Sequence, residues 1–387
     1  MGKRLTIIAG NGITIDFLAH CTMLEAIDPS NLFKYGSHVP WPGSQKPGFL
    51  SYRYCPNLWN LGARPSMSAI EATNLIEDII TCANVFGAAA FSQDSVFEKN
   101  NSHDIYIQAY HELLVYLRSL FVYYDHQFPD LDASKIEKWN WFKFIKSATE
   151  NGEYESITII TYCYDIWLER VFRKFNIPFH IGGFEKPASL NSIEILKPHG
   201  SISFCHTTEL PRDSFIAINR RDRRDSAPPS DFSIRYTDLD RVFPVIPLIP
   251  PAGQSARLEQ WLTSAEHWRI HGEAATGTID PNAQSVEALK EKQAKLAASN
   301  QGWAEIVRRE AMKAAGNLKE NDELVITGLS YWHVDRDELD SLLVSAHPGV
   351  EVKMVHPAVP RGLNAVLTSL FRNYQLLTSA SILAGAH

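Results

Sequence analysis

Cysteine is scarce in this sequence and never patterned. Cys21, Cys55, Cys82, Cys163 and Cys205 are odd in number and scattered through 387 residues, with no C-x-x-C pair. That excludes a zinc ribbon and a disulfide framework and leaves reduced thiols. No apolar run approaches ~20 residues, and no opening segment joins a basic flank, an apolar core and a small-residue cleavage site. The expectation is therefore a cytoplasmic chain with no membrane partner. Positive charge is not in excess either: a net charge of −7 and a pI near 6.1 give no footprint for direct nucleic-acid binding. The one basic run, Arg220-Arg221-Asp222-Arg223-Arg224, reads as a solvated loop able to touch a phosphate or an acidic partner. Internal repeats and low-complexity segments are missing as well.

What is present begins at Leu5 to Ala9, a short apolar run that suits a parallel strand buried on both faces. It runs straight into Gly10-Asn11-Gly12. The glycines let the backbone turn tightly and offer N–H groups, and Thr14 or Asp16 is placed to cap a helix starting near Ile15. A strand, a glycine turn and a helix N-terminus make a place for a phosphate. The dinucleotide fingerprint is incomplete, because Ile15 stands where its third glycine belongs. By itself the segment also fits an ordinary strand-to-helix turn.

Residues 28–65 are rich in Pro, Gly and aromatics and read as an ordered, irregular excursion. Helical spacing follows over Ser66 to Phe91, Asp104 to Tyr124 and Ala133 to Thr149, whose aromatic stripes are most simply core. From Glu155 the pattern alternates. Strands are expected at Ser156 to Ile160, Phe179 to Ile181, Glu194 to Lys197, Glu323 to Thr327 and Val350 to Val355. Helices are expected at Ile166 to Phe175, Ala256 to Trp268, Val286 to Ala298, Trp303 to Ala315, Arg336 to Ser345 and Leu363 to Leu377, with a loose tail from Ser379. Strands followed by helices imply an α/β fold with a doubly wound, mostly parallel sheet. One domain would form from 1–29 and 155–387, with 30–154 a large helical insertion and 206–320 a poorly readable inserted module. Gly10 to Asp16, Thr161 to Asp165, His199 to Ser201, Gly328 to Ser330 and His356 all fall at carboxyl ends of expected strands. Ligands of doubly wound sheets bind there.

Taken together these clusters resemble the sirtuin-like, Rossmann-like fold, in its zinc-free prokaryotic branch of NAD-consuming antiphage effectors. The resemblance rests on Gly10 to Asp16, on Thr161-Tyr162-Cys163-Tyr164-Asp165 followed by Glu169, similar to T-x-N-Y-D-x-x-x-E, and on Lys197-Pro198-His199-Gly200-Ser201, similar to K-x-H-G-S. Gly328-Leu329-Ser330 with Asp335 is similar to G-x-S-x-x-x-x-D. The order of the motifs agrees, and they bracket almost the whole chain.

The resemblance implies a hydrolase that cleaves the nicotinamide-ribose bond of NAD+, with NAD+ as substrate and no metal. His199 would be the general base. Asp165 would fix the ribose and nicotinamide or add negative charge near the cation, and the position of Cys163 would help hold the nicotinamide ribose. Gly10, Asn11 and Gly12 would meet the pyrophosphate, and Ser330 the phosphate or adenosine ribose. Thr14, Asp16, Thr161, Tyr162, Gly328 and His356 complete the expected NAD-contacting set. Asp335 is read as a helix cap. Control is expected from a homo-oligomer or a separately encoded defence partner. Two departures stand out. Cys163 replaces the family's Asn, a strong acceptor and double donor, with a weak thiol, and His356-Pro357 replaces an Asn-Pro. They open the alternative of a catalytically impaired nucleotide-binding regulatory subunit. A protein deacylase is disfavoured by the missing zinc cysteines.

Overall fold

A computed structural model describes residues 2–41, 46–90, 104–128, 130–189, 191–207, 229–239, 302–333 and 335–385. The helices expected at Ala256 to Trp268 and Val286 to Ala298, and the basic run at 220–224, lie outside these residues.

The first strand, β1 (Lys3–Ala9), is buried along its apolar length, as a strand covered on both faces must be. It is the centre of a seven-stranded sheet ordered β3-β4-β2-β1-β7-β8-β9. The other members are β2 (Tyr154–Thr161), β3 (Phe179–Ile181), β4 (Ile193–Leu196), β7 (Glu323–Thr327), β8 (Glu351–Val355) and β9 (Asn373–Leu377). Every pairing within it is parallel. Two further strands, β5 (Phe204–His206) and β6 (Phe232–Ile234), pair antiparallel apart from the sheet. The architecture is therefore an α/β, Rossmann-like one. From β1 the chain builds one half through β2 and the other through β7, so the reversal lies at the carboxyl ends of β1, β2 and β7.

Among the described residues six helices lie between β1 and β2: α1 (Asn11–His20), α2 (Pro56–Asn60), α3 (Ala69–Ala90), α4 (Asp104–Gln127), α5 (Ala133–Ile136) and α6 (Asn140–Glu150). α3 starts on a capping box: Glu71 accepts from the Ser68 N–H at 2.8 Å, while Ser68 Oγ accepts from the Glu71 N–H at 3.3 Å. α4 packs on α2 and α3. Its Tyr116 and Tyr124 hydroxyls donate to Leu32 O and Asp28 O at 2.7 and 3.0 Å, strapping the irregular excursion down. The second half adds α7 (Trp167–Lys174), α8 (Trp303–Gly316), α9 (Arg336–Ser345) and α10 (Arg361–Leu370), with α8 against α9 and β4.

Three expectations are corrected. α1 begins at Asn11 with Gly10 as its cap residue, so Thr14 and Asp16 lie inside the helix and cap nothing. The helix expected over Ala133 to Thr149 is two helices, because Trp139 adopts extended backbone (φ −70°, ψ 125°). There its indole meets the Phe17 ring at 4.9 Å and donates to Asp16 Oδ2 at 2.8 Å. The helix expected to run to Leu377 stops at Leu370, and Asn373–Leu377 is an edge strand. The β5–β6 pair was not expected at all. Among the described residues no helix is long and apolar enough to cross a membrane.

Candidate functional site

The turn after β1 and the turn after β7 meet face to face. Gly10 N–H donates to Thr327 O at 2.9 Å and Gly12 N–H to Gly328 O at 3.1 Å. A Cβ on Gly12 would stand 2.4 Å from Gly328 Cα, and Gly328 itself has φ +65°. These glycines are required because two backbones touch, and both N–H groups expected to face a pyrophosphate are already engaged.

Beside this junction lies a cavity of about 260 Å3. Gly10 and Asn11, Tyr162 to Tyr164, and Gly328 to Trp332 with Asp335 supply its floor from the ends of β1, β2 and β7. Ala72 and Ile76 of α3 and Leu117 and Phe121 of α4 roof it. The helices between β1 and β2 thus complete the site, and composition alone offered no sign of that.

Asp335 precedes α9 in the cap position, yet its side chain makes no cap hydrogen bond. Its Oδ1 is closed off from solvent and has no hydrogen-bond partner among the described residues. Burial pushes its carboxyl up to about 6, against the pull of nearby His199 and Arg308 and with the push of Glu338. The expectation of a helix cap is corrected in part: Asp335 holds the cap position, but its carboxylate makes no cap hydrogen bond.

His199 is 1% exposed and does not line the cavity. It sits behind Tyr162, whose ring meets it edge-on at 4.7 Å. Its Nε2 lies 3.7 Å from Glu338 Oε2, an ion-pair distance too long for a hydrogen bond, and Arg308 Nε is 3.2 Å from the same oxygen. Burial pushes the Glu338 carboxyl up, but His199 and Arg308 together hold it below its ordinary value. The Tyr162 hydroxyl is buried and meets no partner at hydrogen-bond geometry among the described residues, yet it lies close to Glu338, and burial first and Glu338 next push it up. Among the described residues Tyr162 Oη, His199 Nε2 and Asp335 Oδ1 are buried here without a hydrogen bond, and Glu338 Oε2 has only its ion-pair contacts, where the usual rule is satisfaction. Sequence reasoning missed Glu338 and Arg308. The only signal for Glu338 was its place one helical turn after Asp335.

The other expected residues lie on the far side of Cys163. Asp165 Oδ2 accepts from Thr14 Oγ1 at 2.6 Å, and its Oδ1 accepts from the Trp167 N–H at 3.2 Å. Lys197 Nζ donates to Asp165 O at 2.5 Å and to Glu169 Oε1 at 2.6 Å. Burial raises the carboxyls of Asp165 and Glu169, and Lys197 opposes it in both. Thr14, Thr161, Asp165 and Lys197 line a separate space of only about 20 Å3. Thr161 Oγ1 accepts from the Cys163 N–H at 3.2 Å. Cys163 touches both spaces, and burial pushes its thiol up to about 12, so it is no activated nucleophile. Ser330 lines the larger cavity. Asp16 is held by Trp139, and His356 Nδ1 accepts from the Ala358 N–H at 3.0 Å after β8; neither lines the cavity.

No protein-family model matches the chain, and no curated protein matches it.

Proposed function

We propose that this chain binds NAD+ at the cavity between β1, β2 and β7 and hydrolyses its nicotinamide-ribose bond. The observation that carries the reading is convergence. Gly10-Asn11, Tyr162-Cys163 and Gly328 to Ser330, far apart in sequence, line one cavity at the reversal of strand order, and His199 stands directly behind its wall. Doubly wound sheets bind nucleotides at that place.

In the reaction the bond from the anomeric carbon to the ring nitrogen breaks, its electron pair neutralises the pyridinium, and water supplies the new C–O bond. The proton released by water passes to the buried cluster of Tyr162, Glu338 and His199, with His199 as its acceptor. Positive charge that develops on the ribose is stabilised by the negative charge of Asp335, which lines the cavity. Service as a defence effector, switched by self-assembly or by a separately encoded partner, is part of the same proposal and rests on the motif resemblance. A second reading, an NAD-binding subunit without turnover, is favoured by Cys163, a neutral thiol where a strong polar side chain would hold the ribose.

Nicotinamide release from NAD+, followed for the purified chain alone and with proteins encoded beside it, tests the two. Turnover abolished by His199→Ala, with NAD+ binding retained, is the expected result. Binding with no release from either this chain or Cys163→Asn would establish the second reading instead.

A further inference from the structure

Five aromatic side chains, Phe121, Tyr162, Tyr164, Tyr331 and Trp332, line the cavity around Asp335. An aromatic wall and one desolvated carboxylate are the two devices by which proteins hold organic cations: ring faces attract positive charge, and the anion neutralises it. Asp335 Oδ1 has no hydrogen-bond partner among the described residues, and the helix it precedes does not use it as a cap. Asp335 as a residue is only partly buried, but its Oδ1 is closed off from solvent, and a carboxylate oxygen kept there without a partner is costly unless a ligand completes it.

We infer that the cavity is a charge-selective site for N-substituted pyridinium rings, in which Asp335 is the specificity-determining anion. On the NAD+ reading, on which this inference rests, the site accepts the oxidised dinucleotide and disfavours the reduced one, whose ring is neutral. The groups facing Asp335 come from every neighbouring segment: His199 after β4, Arg308 on α8, Glu338 on α9, and Tyr162 and Tyr164 after β2. Arg308 is matched by Glu338 at 3.2 Å, so the carboxylate of Asp335 is the charge left for the ligand. Burial brings its carboxyl up to about 6, so selectivity for the cation holds above that pH and fades below it.

Two probes separate charge from shape without turnover: 1-methylnicotinamide, a pyridinium with no glycosidic bond, and neutral nicotinamide. Calorimetric titration of the full chain at pH 7.5 should show the cation binding roughly tenfold or more tighter, the scale of one desolvated cation contact. That preference should shrink between pH 7 and pH 5, vanish in Asp335→Asn, and survive in part in Asp335→Glu. Equal binding of both probes, binding of neither, or a preference that persists in Asp335→Asn would overturn the inference. The pH series on the unaltered chain decides it even if a variant fails to fold. Nicotinamide release is scored separately. Cation preference without release leaves the inference standing and sinks the hydrolase, whereas release with equal probe binding does the reverse.

Discussion

Two charged clusters flank Cys163 and differ in one respect, saturation. On one side Thr14, Asp165, Glu169 and Lys197 form a closed set in which the ammonium and both carboxylates have short partners, at 2.5 to 2.6 Å. On the other side Asp335, His199 and Tyr162 each keep a buried polar atom without a hydrogen bond. Both clusters involve residues of the motifs, so residue type alone does not separate them. A closed buried network holds a fold together, since every member is compensated. An open one is stable only at a cost, and that cost is expected where a ligand is to be met.

The contrast predicts opposite signs for two substitutions. Lys197→Met leaves Glu169 buried without its 2.6 Å partner, and breaking such a pair costs roughly 3–5 kcal/mol. Urea denaturation should show the largest loss of any variant considered. Asp335→Asn should stabilise. Its carboxyl titrates at about 6 in the folded chain against an ordinary 3.8, a shift worth about 3 kcal/mol. Because the folded value is the higher one, the folded state binds more protons between these pH values. Stability therefore falls as pH rises from about 4 to about 6, and the penalty is complete above that. Asp335→Asn should thus gain up to about 3 kcal/mol at pH 7.5 and nothing near pH 3.5. Destabilisation by both variants at pH 7.5 would erase the distinction between the clusters.

A smaller effect sharpens the distinction from the backbone side. Gly12→Ala places a methyl 2.4 Å from Gly328 Cα, where backbone cannot give way cheaply. A loss of about 1–3 kcal/mol is expected in the same denaturation experiment, together with weaker probe binding as the β1 and β7 turns separate.

How much of this was legible in the sequence follows from the physics of each part. β1, β7 and α9 were readable because their apolar periods and bounding turns are strong, and Glu323–Thr327 and Arg336–Ser345 agree to the residue. β9 was not readable. Leu363, Leu367, Leu370, Tyr374 and Leu377 are spaced three or four apart, so an edge strand with one exposed face continued the pattern of the helix before it. Trp139 was hidden for a related reason: helical spacing runs through it although its indole is needed at Asp16. At the site, the local motifs brought the strand ends to notice. Which side chains face the cavity depends on long-range packing, so Asp335 lines it while His199 stands behind Tyr162, and Glu338 and Arg308 were not foreseen.

Tyr162→Phe is the finest discriminator, because it removes one oxygen and nothing else. Its hydroxyl is buried and, apart from its close approach to Glu338, meets no partner at hydrogen-bond geometry among the described residues, so deletion forfeits little. The edge-on contact of its ring with His199 at 4.7 Å is kept. Unfolding free energy should therefore change by less than about 0.5 kcal/mol. If the open cluster handles the proton, nicotinamide release should nonetheless fall, by roughly tenfold to a hundredfold, the loss expected for one proton-transfer or orienting group. The matching change in the closed cluster, Thr14→Val, should do the converse. It removes the 2.6 Å bond to Asp165 and should cost about 1.5–3 kcal/mol of stability. A Tyr162→Phe protein that unfolds more easily yet turns over normally would mean that the open cluster is only an imperfectly packed part of the interior.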